Sequence, residues 1–151
     1  MRSLQNLATG ATMRCLSKTA PSKHGLNPSA VFIDELHAHP NADLVDALVT
    51  AGGARKEGLI FYTTTADLAG RDSPCNQKLQ YAQQVRDGKI RDPSFLPIIY
   101  AAPNTADWQS EAAWRLANPN YGVSVHPHIL RQELRQAKAL PAYAITFRRL
   151  Y

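Results

Sequence analysis

Two adjacent carboxylates, Asp34 and Glu35, follow the apolar run Ala30–Ile33 in the stretch VFIDELHAHP. A carboxylate at the tip of a buried strand can hold Mg2+, usually through water, while its neighbour orients and deprotonates an attacking water. In that reading Asp34 is the magnesium residue and Glu35 the water-activating one, the Walker B arrangement of a nucleoside triphosphatase. Apolar runs ending in Asp-Glu also occur where a strand simply meets solvent, so the motif by itself is only moderately specific. A second candidate lies downstream, where GLIFYTTTA closes another apolar run with three threonines.

The histidines allow a different chemistry. His37 and His39 form one H-x-H pair and His126 and His128 another, from which a four-ligand metal site and a metal-dependent hydrolase can be drawn. H-x-H places both rings on one face only within an extended strand. His37 and His39 instead follow a strand end just before Pro40, and His128 falls at a helix start, so loop or surface positions are the plainer expectation. Cys15 and Cys75 are far apart and in no C-x-x-C pattern, as expected of free thiols in a reducing cytosol. No G-x-S-x-G elbow is present for serine chemistry.

The elements that must position these residues read as an α/β pattern. Residues 12–17, TMRCLS, alternate weakly as a strand, and PSKHGLNPS is turn material. AVFIDE is a continuous apolar run suited to a strand buried on both faces of a parallel sheet. Leu44, Leu48 and Ala51 then form one face of a short helix, with Asn41 as its cap and Gly52-Gly53 as its stop. GLIFYTTTA is a second buried strand, a helix follows over 73–85, and SFLPIIYAAP is expected as a third strand. Strand, helix, strand, helix, strand implies a parallel sheet with crossover helices, whose ligands gather at the carboxyl ends of the strands. Helical segments follow within DWQSEAAWRLANPN, over 127–140 and over 142–151.

Length and composition agree with one ordinary domain, 151 residues and 44% apolar, with no internal repeat or linker. No apolar run approaches the roughly 20 residues that span a bilayer, so a soluble protein without membrane contact is expected. The first 28 residues are basic and acid-free, but Gly10, Pro21, Gly25 and Pro28 interrupt the amphipathic helix of a transit peptide. A net charge of +5 permits contact with a polyanion. The excess gathers late, where Arg131, Arg135, Lys138, Arg148 and Arg149 face Glu133 as the one acid. Either a solvated helix face or a nucleic-acid contact explains it.

Taken together, several of these motifs resemble the large subunit of tailed-phage terminases, the ATPase and nuclease that packages DNA into procapsids. SKHGLNPSAVFIDELHAHPN, LIFYTTTADLAGRDSPCNQKLQYAQQVRDG, IIYAAPNTADW, WRLANPNYGVSV and ITFRRLY follow one another in family order from about Thr12 to Tyr151. The resemblance implies a partial P-loop NTPase-like sheet, with Asp34 as the Mg2+ residue and Glu35 as the catalytic carboxylate. It makes Thr64, Thr65 and Ala66 the coupling motif that links hydrolysis to DNA movement. It also implies ATP and Mg2+ as cofactors in the complete protein, and double-stranded DNA, the portal protein and the terminase small subunit as partners, in the bacterial host cytoplasm. Trp108 and Trp114 are expected as packing anchors rather than base-stacking platforms.

The same comparison divides the chain into a poorly matching 1–11, a partial ATPase core over 12–105 that carries the Walker B and coupling motifs, and a helical segment over 106–151 leading toward a nuclease domain. A Walker A loop that would cradle the phosphates has no counterpart, ATGATMRC being no substitute, and the nuclease acidic cluster is missing too. The chain is therefore read as part of a terminase large subunit, with the rest of a split subunit as a further partner and weak or no ATP turnover by itself. The alternative from another class is a non-catalytic remnant that binds DNA, with Arg148 and Arg149 as contacts, or binds an intact motor subunit.

Overall fold

The computed structural model describes residues 3–16 and 26–151. The turn expected at PSKHGLNPS thus lies largely outside the described residues. The chain forms two compact units, Met1–Thr64 and Thr65–Tyr151, where the sequence reads as one.

In the first unit, β1 (Ser3–Gln5) and β2 (Thr12–Arg14) form an antiparallel hairpin with Leu4 opposite Met13. Its turn is closed by the Asn6 side chain, which accepts from the backbone of Ala8 and Thr9, and by Gly10 at φ 71°. The main sheet pairs β3 (Ala30–Ile33) in parallel with β4 (Leu59–Tyr62), in the register Ile33 opposite Tyr62. Parallel strands need a crossover. Here it carries α1 (Asp43–Ala51), which buries Leu44, Val45 and Leu48, while Val31, Ile33 and Leu36 complete the core of the unit. Asn41 accepts from the Asp43 backbone at 3.3 Å, so the expected capping side chain serves from one position before the helix cap.

Two expectations about the strands are corrected. Neither strand is buried on both faces: β3 hides Val31 and Ile33 but leaves Phe32 64% exposed, stacked on the exposed Phe61 at 4.9 Å between ring centres. A single apolar layer covers the sheet within this unit, so alternate residues reach solvent. The expected third strand at SFLPIIYAAP does not form. The segment makes no ladder hydrogen bonds among the described residues, and Leu96 and Ile98 are 81% and 66% exposed. Composition suits a chain to a sheet, but a strand exists only once a neighbour takes its backbone hydrogen bonds.

The second unit is helical, with α2 (Pro74–Arg86), α3 (Glu111–Ala117), α4 (Pro127–Ala139) and α5 (Pro141–Leu150). Three of the four begin with proline, whose fixed φ and missing N–H suit the first turn. Ser73 caps α2 by accepting from the Asn76 backbone, and its hydroxyl donates to the buried Asp67 at 2.6 Å. Ser110 caps α3 in the same way. The core contains Ala113, Trp114, Leu130, Ala137 and Phe147. Trp114 is buried and donates its indole N–H to the Trp108 carbonyl at 2.8 Å, which makes both tryptophans packing residues.

α4 and α5 are joined by a hydrogen bond from the Tyr143 hydroxyl to the Glu133 carboxylate. That bond, aided by burial and by the carboxylate charge, pushes the Tyr143 pKa up to about 12. Because the folded value is the raised one, the bond's contribution is complete below the ordinary tyrosine range and is lost as pH climbs toward about 12. Phenolate absorbance should therefore show the latest tyrosine titrating toward about pH 12, and Glu133→Gln should move that last step downward. Identical titration curves for the two proteins would refute the bond.

Candidate functional site

The carboxyl ends of β3 and β4 lie side by side because of their register, and the residues just beyond them form a connected group. The ladder continues one step past the strands, with the Thr63 N–H donating to the Ile33 carbonyl at 2.9 Å and the Leu36 N–H to the Thr63 carbonyl at 3.3 Å. Asp34 is thereby set against Thr63, whose hydroxyl donates to Asp34 Oδ1 at 2.8 Å. The same oxygen accepts the Glu35 N–H at 3.0 Å. Asp34 Oδ2 accepts nothing among the described residues, and the side chain is exposed.

Glu35 is the one described non-glycine residue with positive φ, at φ 51° and ψ 50°. An L-residue with a Cβ is strained there by about 1–2 kcal/mol, and such strain persists where surrounding contacts over-determine it. The contacts are visible: Asp34 holds the Glu35 amide, and Leu36 behind it is buried at 2% exposure. The bend turns the Glu35 carboxylate back toward His37, with Oε2 at 3.3 Å from Nδ1. Glu35→Gly should therefore leave thermal stability unchanged or raise it by up to about 1 kcal/mol, even though it removes the candidate catalytic group. A loss of more than about 1 kcal/mol in denaturant unfolding would show that the side chain is needed for the fold.

His37 and Thr64 complete the group. The His37 N–H donates to Thr64 Oγ1 at 3.0 Å, and the same hydroxyl lies 3.1 Å from His37 Nδ1. Asp34, Glu35, Thr63, Thr64 and His37 thus converge at one strand-end corner of the first unit. Of the other candidates, Thr65 and Ala66 open the second unit, where the Thr65 carbonyl faces Cys75 Sγ at 3.9 Å. Cys75 is buried and Cys15 exposed, and neither is part of a disulfide among the described residues. Arg148 and Arg149 end α5; Arg148 is exposed, whereas Arg149 is half-buried with its Nε unpaired among the described residues.

No three His, Cys, Asp or Glu side chains converge to hold a metal among the described residues, and His126 and His128 stack on each other at 5.6 Å before and within the first turn of α4. Arg131 and Glu111 pair, with Nε 2.7 Å from Oε1, so one late cation is engaged within the unit.

Two of the site residues were not singled out by the motif reading. Thr63 stands one position before the coupling triplet, and His37 reads from sequence only as a loop residue or a metal ligand. The parallel register, which fixes what lies opposite Asp34, is the signal that assigns both. The donor set is all oxygen: a carboxylate with one free oxygen beside threonine hydroxyls, which suits a hard cation such as Mg2+ bound with retained water.

The chain is similar to known proteins of one family. The family described as terminase large subunit, ATPase domain, matches residues 3–84, more than half of the chain. The match takes in the β1–β2 hairpin, whereas the motif resemblance starts at Thr12. Protein YmfN of Escherichia coli (strain K12) is 31% identical over 114 residues, covering 76% of this chain and 25% of that protein. The terminase large subunit of Enterobacteria phage HK97 is 27% identical over 152 residues, covering 99% of this chain and 29% of that one. The crystal structure of the HK97 large terminase superposes with a TM-score of 0.78 at 26% identity, over 93% of this chain and 29% of that one. The chain thus spans between a quarter and three-tenths of these relatives, and it belongs to the terminase large subunit ATPase-domain family.

Proposed function

We propose that this chain supplies the Walker B corner of an ATP-driven motor that moves double-stranded DNA into phage procapsids. The observation that carries the reading is the convergence of Asp34, Glu35, Thr63 and Thr64 at the carboxyl ends of two adjacent parallel strands. In this reading Asp34 holds Mg2+ through its free oxygen while Thr63 fixes the other one. Mg2+, when bound with ATP, offsets the charge on the phosphates. Glu35 orients the attacking water and takes its proton, its carboxylate set at the corner by the left-handed bend. Thr64, Thr65 and Ala66 carry the change at the nucleotide into the rest of the chain. A short hydroxyl at a strand end responds to sub-ångström shifts, and Thr64 and Thr65 stand on either side of the division between the compact units.

The partners follow from the same reading. Double-stranded DNA meets the basic end of α5, where the exposed Arg148 is the better contact and Arg149 supports it. The portal protein and the terminase small subunit complete the motor in the host cytoplasm. Among the described residues no helix is long and apolar enough to cross a membrane.

The metal assignment has a direct test on the chain as it stands. Mn2+ replaces Mg2+ at oxygen sites and broadens nearby NMR signals, so Mn2+ with ATP should broaden the amides of Asp34, Glu35, Thr63 and Thr64 before others. Asp34→Asn should abolish that selectivity. Broadening centred elsewhere, or unchanged by the substitution, would overturn the assignment.

A further inference from the structure

The solvent face of α4 carries cations and no acid. His128, Arg131, Arg135 and Lys138 recur at alternating spacings of three and four, which at about 100° per residue sets them in one stripe along the helix. All four are exposed, while Leu130, Ala137 and the half-buried Leu134 turn to the core. Glu133, the one acid of the helix, is half-buried and accepts from the Tyr143 hydroxyl. Near the start of the stripe Arg131 is held in place. Its Nε donates to Glu111 Oε1 at 2.7 Å, and Glu111 Oε2 accepts from the Tyr121 hydroxyl at 2.9 Å. The exposed Arg115 lies over that tyrosine ring, 4.3 Å from its centre. One carboxylate thus serves two arginines, and a positive excess remains.

We propose that this face of α4, with Arg115 beside it, is a contact surface for the phosphate backbone of double-stranded DNA. From Arg131 to Lys138 the stripe runs about 10 Å along the helix. A duplex presents about six phosphates over that length, more anions than the stripe has cations. The make-up of the stripe favours nucleic acid over an acidic protein. Protein interfaces centre on aromatic anchors in desolvated pockets and are depleted in lysine. Between Arg131 and Lys138 the exposed neighbours of the stripe are Gln132 and Gln136, with no aromatic residue among them. Phosphates need only long cationic side chains, whose contacts release the counterions condensed on the duplex. Contacts to the backbone carry no sequence information, so binding is independent of sequence. The inference rests on the reading of DNA as the partner and adds a second surface to the end of α5. The Walker B corner plays no part in it.

The experiment is fluorescence anisotropy of a labelled DNA duplex with the full chain, without nucleotide, over about 50 to 200 mM salt. Affinity should fall linearly with salt on logarithmic axes. Arg131→Gln/Arg135→Gln/Lys138→Gln should make that slope shallower by about 2–3. Across the range the unaltered chain then loses about 10- to 40-fold more affinity than the triple variant. Duplexes of unrelated sequence should give the same slopes. Arg131→Gln also breaks the pair with Glu111, so Arg135→Gln/Lys138→Gln, which keeps it, carries the test where the triple variant fails to fold. Its slope should change by about 2. A slope unchanged in the double variant, with DNA still bound, would overturn the proposal and leave the end of α5 as the contact. No binding by the unaltered chain at about 50 mM salt would overturn both DNA surfaces, while the metal test of the Walker B corner stands apart. Tighter binding to polyglutamate than to a duplex of equal charge would assign the stripe to an acidic protein and overturn the proposal.

Discussion

Glu35→Gln should lower MgATP hydrolysis by about 100- to 10,000-fold, the effect of losing a positioned general base. The setting is an HK97 large terminase that carries residues 3–151 of this chain in place of its own matched segment. Glutamine keeps the size of the side chain. It cannot take a proton from water. The expected loss is accordingly in kcat, with the KM for ATP nearly unchanged, because the substitution leaves Asp34 and the rest of the hybrid as they were. A kcat within about threefold of the unsubstituted hybrid would remove Glu35 from the chemistry. The strand-end carboxylates would then be no more than the point where a strand meets solvent.

Phe147→Ala should destabilise the second unit by about 3–5 kcal/mol, the cost of deleting a buried aromatic ring and leaving a cavity. Phe147 is 1% exposed at the centre of that unit's core. Its ring meets Trp108, Trp114 and Tyr151, with centre-to-centre distances of 5.8, 6.0 and 5.1 Å. Aromatic contacts of this kind add to what area burial contributes. A domain's whole stability is about 5–15 kcal/mol, so the loss is a large share of it. Both tryptophans of the chain belong to this unit, so their fluorescence during urea unfolding reports on it alone. A shift smaller than about 1.5 kcal/mol would mean that the cluster collapses around the gap, and that α5 is held mainly by Leu130, Ala137 and the Tyr143–Glu133 bond.

The two experiments separate the parts of the chain that the comparisons group together. The family match covers residues 3–84, which include the strand-end corner and most of α2, whereas the Phe147 core is built from residues beyond it. A damaged core with an intact corner, or the reverse, is thus a meaningful result for each.

The sequence by itself determined the helices and the chemical types at the site. Leucine spacing placed α1, prolines and a capping serine opened α2, α4 and α5 close to their expected positions, and the Asp-Glu and Thr-Thr-Thr endings marked where polar groups leave an apolar run. These signals are local: periodicity, capping and proline stereochemistry act within a few residues of one another. Which strand found a partner was decided only by tertiary structure. SFLPIIYAAP has a strand's composition but forms no ladder among the described residues, and AVFI is covered on one face where its sequence suits two. The same holds for the corner itself. The register of Ile33 against Tyr62 brings Thr63 to Asp34, the left-handed bend at Glu35 turns its carboxylate to His37, and His37 reaches Thr64, 27 positions on. Hydrogen bonds between residues so distant in sequence depend on how whole elements dock, and no local pattern encodes that choice.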